Sequence, residues 1–136
     1  MFTSLRTGDI IIINVENNIG SQQGGIRPAI IVSNNIGNKH SNTIKVLPGT
    51  TKRYQSTLPT HVHFSTSEVT CLSRDTTFEA ESSWVINKFQ IIKKIGTLTE
   101  AQLNKVAIAM AYDTPLVFLA FQNNIQNTET FQKISK

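Results

Sequence analysis

Hydrophobic and polar positions along the chain change period about two thirds of the way through. In the first part, short β-rich runs alternate with polar, turn-forming stretches. Gly8-Asp9 is a turn signal, and Ile10-Ile11-Ile12-Ile13-Asn14-Val15 after it predicts a strand. The polar, glycine-rich residues 16–25 predict a loop, and Ala29-Ile30-Ile31-Val32 a short apolar strand. Residues 34–42 read as a second polar loop. Thr43-Ile44-Lys45-Val46-Leu47 alternates like a strand and is expected to stop at Pro48-Gly49. Thr60-His61-Val62-His63-Phe64 alternates again, and β-rich runs at residues 68–72 and 84–86 predict two more strands. Short strands at this spacing predict a mainly β (α+β) fold, a small barrel or sandwich.

The last third carries a helical period. Thr99 with Gln102 three residues on is a capping-box pattern. Leu103, Val106, Ala107, Met110 and Ala111 then recur at i, i+3, i+4, i+7 and i+8, one apolar stripe. Asp113-Thr114-Pro115 interrupts it and is suited to start a second helix, since proline is tolerated at the first helical position. Residues 116–121 are apolar throughout and predict either core or a contact with another chain. Residues 122–136 are rich in amides and poor in apolar side chains, so a partly disordered tail is expected beyond a single domain of residues 1–121.

Composition narrows the class. The length of 136 residues suits one domain. The single cysteine, Cys71, excludes an internal disulfide framework, and no apolar run approaches the roughly 20 residues that cross a bilayer. A soluble, cytoplasmic protein with no membrane partner is expected. Thirteen Lys and Arg against nine Asp and Glu give a formal charge of +4. The distribution matters more than the sum. From Asn17 to Ser67 there is no acid, while Arg27, Lys39, Lys45, Lys52 and Arg53 fall in that window with His40, His61 and His63. Such a surface suits a polyphosphate or an acidic protein, and the sign of charge does not separate the two.

Candidate chemistry lies in the same window. In Gly20-Ser21-Gln22-Gln23-Gly24-Gly25-Ile26-Arg27-Pro28, paired glycines let backbone N–H groups approach a ligand, and Arg27 at the mouth of a strand is a candidate phosphate clamp. Pro48-Gly49-Thr50-Thr51-Lys52-Arg53 offers two hydroxyls and two cations to a phosphodiester backbone. Ordinary turns with solvated cations are the plain alternative for both. His61 and His63 stand two apart on a predicted strand and so share a face. They suggest a metal site or an acid–base pair, but no carboxylate or cysteine lies near them in sequence to complete a metal site. Cys71 reads as a small core residue.

Together these pieces resemble the MazF/PemK family of bacterial toxin endoribonucleases. The resemblance is carried by Gly8-Asp9-Ile10, by the stretch from Gly20 to Pro28, by Ile31-Val32-Ser33-Asn34 with Gly37-Asn38, Ser41 and Thr43, and by Leu58-Pro59-Thr60-His61-Val62. It spans residues 7–64 without a gap and is looser beyond, where Gln90 and Thr97-Leu98-Thr99 fall where the family carries a strand and a capped helix. It implies a small SH3-like β-barrel of the CcdB/MazF/PemK type with a C-terminal helix or helices, acting as a homodimer. It implies metal-independent, sequence-specific cleavage of single-stranded RNA, with no cofactor, and silencing by a cognate acidic antitoxin that occupies the RNA groove. By position, Arg27 and Thr50 match the catalytic arginine and threonine, and Ser21 and Gln90 match residues at the RNA site. Gln22, Gly24 and Gly25 on the first loop, and Lys52, Arg53 and Tyr54 on the second, are the remaining expected RNA contacts.

Metal-free cleavage uses the ribose 2′-OH as nucleophile, so DNA would be spared. Arg27 is expected mainly to stabilise the phosphorane, because a guanidinium resists deprotonation at neutral pH, and an added acid or base role stays open. Thr50 is expected to position and relay the proton. Two other readings stay open at this point. One is a gyrase-poisoning toxin of the CcdB type, and the other is a catalytically silent RNA- or antitoxin-binding module of the same fold.

Overall fold

A computed structural model describes residues 4–15, 25–51, 58–117 and 119. Its strands are β1 (Asp9–Asn14), β2 (Ile26–Ile31), β3 (Thr43–Thr50), β4 (His61–Phe64), β5 (Thr76–Glu79), β6 (Trp84–Asn87) and β7 (Ile91–Thr97). A short helix α1 (Asn35–His40) joins β2 to β3, and α2 (Glu100–Asp113) follows β7. The strand order is β4-β5-β3-β2-β1-β7, with β6 also on β3, and every pairing is antiparallel. The α+β class with a C-terminal helix is as expected. The barrel is a correction, because β4 and β7 do not pair with each other among the described residues and the sheet stays open. Instead β3 divides its length among β6 at Thr43–Val46, β2 at Val46–Pro48 and β5 at Gly49–Thr50.

Apolar residues run unbroken through β1 because both of its faces are covered. Ile10 joins Ile30, Leu47, Val62, Phe64 and Phe78 in a core roofed by Val106 and Ala109 of α2. Ile11 and Ile13 join Ala29, Ile31, Ile44, Val46, Ile86 and Ile91 in a second core on the opposite face. A strand buried on both sides loses the polar alternation that marks a half-exposed one.

Four elements differ from their sequence expectation. Residues 35–40 form α1 rather than a loop: Asn34 caps it, its side chain accepting the Gly37 N–H, and Lys39 and His40 sit in its last turn. β3 runs through Pro48-Gly49, since Pro48 lies opposite Ala29 and Gly49 opposite Phe78. A Cβ on Gly49 would lie 2.6 Å from Thr76 Cγ2 and 2.7 Å from Phe78 Cε1, so only glycine lets β3 and β5 close here. Residues 68–72 form turns, with Val69 and Leu72 buried as core plugs rather than strand residues. The strand falls later, at β5, whose four residues are all buried.

Helix α2 keeps its expected start, with both hydrogen bonds of the Thr99/Gln102 capping box formed. Its buried face carries Leu103, Val106, Ala109 and Met110; Ala107, placed on the stripe by period, is exposed. The chain turns at Thr114-Pro115, and helical backbone resumes at Leu116 and Val117. The expected tail, residues 122–136, lies outside the described residues. No helix among the described residues is long and apolar enough to cross a membrane.

Candidate active site

Arg27 and Thr50 come from different strands and meet at one end of the sheet. Each stands two residues beyond the Ala29–Pro48 pair of β2 and β3. The Arg27 guanidinium donates through Nη1 to the Gly49 carbonyl at 3.3 Å, which holds it beside the residue that carries the Thr50 hydroxyl. Arg27 is half-buried and Thr50 is buried. Pro28 helps by keeping Arg27 extended, and Pro28 pairs with Ile12 of β1.

Thr77, which the sequence did not single out, and His63, a candidate from the histidine pair, continue this row. Thr50 lies opposite Thr77, and Thr77 opposite His63, so the three side chains share a face of β3, β5 and β4. His63 Nδ1 and Thr77 Oγ1 are 2.7 Å apart. A cleft of about 610 Å³ opens here, lined by Thr51, His63, Ser65, Arg74 and Thr77 among others. At its rim, the Ser65 backbone N–H and hydroxyl, with Lys105 assisting, hold the Glu68 carboxyl below the ordinary carboxylate range. Sequence reasoning missed Thr77 because its strand has no apolar alternation to betray it.

The remaining expected residues divide sharply. Gly25 has φ +99°, a left-handed conformation that suits glycine, and its carbonyl accepts the Val15 N–H at 3.1 Å, closing the base of the first loop. Gln90 ends a 3₁₀ turn (Lys88–Gln90), and its side-chain oxygen accepts the Asn87 N–H at 2.9 Å. That bond makes Gln90 a cap for the turn ahead of β7, and its neighbour Ile91 pairs with Ile13, the partner of Arg27. Ser21, Gln22, Gly24, Lys52, Arg53 and Tyr54 lie outside the described residues. Cys71 is partly buried against the core, where burial pushes its thiol up, and its Sγ would sit 2.7 Å from a Cβ on Gly96.

His61 shares its face with His63, the two rings edge to face with centroids 6.4 Å apart, but its own polar partners are acids. It lies opposite Glu79, and its Nε2 is 3.7 Å from Glu79 Oε2 and 2.6 Å from Glu81 Oε2. Partial burial raises the Glu81 carboxyl. Hydrogen bonds from its own backbone, His61 and Thr60 outweigh that and leave it below its ordinary value.

This geometry defines a small α+β protein in which an arginine and a threonine converge at the open end of a sheet, beside a polar cleft. A sequence profile described as "PemK-like, MazF-like toxin of type II toxin-antitoxin system" matches residues 6–112. The chain belongs to that family. It is 30% identical over 113 residues to endoribonuclease EndoA of Bacillus subtilis, covering 83% of this chain and 97% of that protein. It is 31% identical over 102 residues to endoribonuclease MazF of Staphylococcus saprophyticus, covering 75% and 84% respectively. A solved structure of an endoribonuclease with its cognate antitoxin, from a mycobacterial species, superposes with TM-score 0.66 at 26% identity, over 83% of this chain and 97% of that one.

Proposed function

We propose that this protein is the toxin of a type II toxin–antitoxin pair and cleaves single-stranded RNA at specific sequences, in the cytoplasm and without a metal ion. The observation that carries this reading is the anchoring of the Arg27 guanidinium on the Gly49 carbonyl, beside the Thr50 hydroxyl and the cleft. The endoribonuclease relatives support it.

In this reading the RNA 2′-OH gives up its proton and attacks its own phosphate, the P–O5′ bond breaks, and the departing 5′-oxygen takes a proton, leaving a 2′,3′-cyclic phosphate and a 5′-OH. Arg27 stabilises the charge that develops on the phosphorane oxygens, a role for which a fixed, always-charged donor is suited. Thr50 orients a phosphate oxygen and relays the proton, and Thr77 with His63 extends that polar row. The loops on either side, bearing Ser21, Gln22, Gly24 and Gly25 on one and Lys52, Arg53 and Tyr54 on the other, read the substrate. Gln90 acts through the turn it caps, upstream of the strand that flanks β1.

The silencing partner is an acidic antitoxin that meets the basic residues of the acid-free window from Asn17 to Ser67. The functional unit is a homodimer. Ile108 and Tyr112, one turn apart on α2, and Leu116 and Leu119 beyond its end are exposed apolar side chains that a second copy would cover. The catalytic domain is read as residues 1–121, which contain the whole family match.

The direct test is cleavage of a long single-stranded RNA in EDTA, with Arg27→Ala alongside. Discrete fragments that persist in EDTA and vanish in the variant are expected. No cleavage by folded wild-type protein would overturn the nuclease reading, and a gyrase supercoiling assay would then be the next measurement.

A further inference from the structure

His61, Glu79 and Glu81 are given no part in the chemistry just described. We propose that His61, Glu79 and Glu81 form a binding site for one divalent transition-metal cation of the zinc type, sharing no ligand with Arg27 or Thr50 and able to clamp β4 to the end of β5.

The placement is built in by the fold. His61 and Glu79 are cross-strand partners, and the 3₁₀ turn Ala80–Ser82 swings Glu81 back over the same spot. The ligand atoms all lie within 4.8 Å of one another. A zinc ion with ligands at about 2.1 Å in tetrahedral geometry needs about 3.4 Å between donor atoms. The His61 Nε2 separations of 2.6 Å and 3.7 Å fall on either side of that value, so small side-chain rotations suffice. One imidazole nitrogen with two carboxylate oxygens suits zinc and its neighbours, whereas calcium and magnesium prefer oxygen alone.

Charge points the same way. The His61 and Glu79 side chains are 4% and 6% exposed, and Glu81 is 39% exposed. A dication held among them would meet two carboxylate oxygens and a neutral imidazole nitrogen. Glu81 leaves an entry from solvent and room for water as a fourth ligand, and Thr60 donates to its carboxylate, orienting it from outside the ligand set. The Thr77–His63 pair lies two residues away along β5 and β4, with the His61 and His63 rings 6.4 Å apart, so the cation would sit beside that row and take no ligand from it. It would instead stiffen residues 58–60, the approach to β4: the His61 N–H bonds the Leu58 carbonyl, and the Ala80 N–H the Thr60 carbonyl.

The test is calorimetric titration of metal-stripped, full-length protein with zinc chloride, paired with thermal melts. Uptake of one zinc per chain with a raised melting temperature is expected. Glu79→Gln and Glu81→Gln should each weaken binding at least about tenfold, while His40→Ala, at an exposed site, should leave it unchanged. If Glu79→Gln fails to fold, the exposed Glu81→Gln decides. No uptake at about 100 µM zinc, uptake untouched by the glutamine variants, or uptake lost in His40→Ala would each overturn the proposal. RNA cleavage in EDTA tests the nuclease reading separately and should survive whichever result zinc gives.

Discussion

Arg27 is useful because of where its charge is held, not only because it has one. The guanidinium is tied to the Gly49 carbonyl, so its plane is set before substrate arrives. Arg27→Ala should therefore reduce cleavage by at least about a hundredfold, the usual cost of removing one preorganised donor. Arg27→Lys keeps the charge but loses the planar fork and should recover little, measured as kcat on a defined oligonucleotide. Gly49 is the second residue on which the site depends. Its Cα lies where any side chain would strike Thr76 and Phe78, so Gly49→Ala should cost about 2 kcal/mol in urea denaturation. It should also lower activity, because the displaced carbonyl is the one that anchors Arg27. The sequence showed Arg27 and Thr50 as candidates from local chemistry and family position. It could not show their partners, Gly49 and Thr77, because those contacts join strands far apart in the chain.

At the scale of elements, the legible pieces are those whose signal is local. The Thr99/Gln102 box states its own hydrogen bonds in four residues, and both are formed. Thr99→Ala should cost about 1 kcal/mol, read as a lower denaturation midpoint with the m-value unchanged. The β4–β5 junction is not local. Glu81 is held below its ordinary carboxyl value, despite partial burial, by hydrogen bonds from its own backbone, His61 and Thr60. A depressed carboxyl stabilises the folded state above its unfolded pKa, near 4.5, and loses that contribution as pH falls through the lower folded value. In metal-stripped protein, Glu81→Gln should therefore melt below wild type at pH 7, with the gap closing below about pH 4.5. β5 and α1 were illegible for related reasons. β5 is buried along its whole length, so its Thr-Thr-Phe-Glu shows no alternation, and α1 is too short for a period and relies on its Asn34 cap.

For the whole molecule, the two cores and the end-on site leave large apolar side chains exposed, among them Ile108 and Tyr112 on α2 and Leu116 and Leu119 beyond its end. Replacing both Leu116 and Leu119 with Glu should halve the mass seen by light scattering at micromolar concentration, with the fold intact by circular dichroism. A wild type that is already monomeric there would remove the dimer from the proposed function.

By itself the sequence determined the composition of the site and its electrostatic bias. It supplied an acid-free basic window, a glycine loop before Arg27, a threonine at a strand end, and a capped helix to close the chain. These depend on residues within a few positions of one another, where spacing and chemistry can be read directly. The tertiary structure decided what depends on register. It tied Arg27 to the Gly49 carbonyl next to Thr50, aligned Thr77 and His63 with Thr50, and brought Glu79 and Glu81 to His61 across a segment in which no acid was near in sequence. The reason is that antiparallel pairing makes neighbours of residues separated by long loops, and a shift of one residue would send each of these side chains to the opposite face.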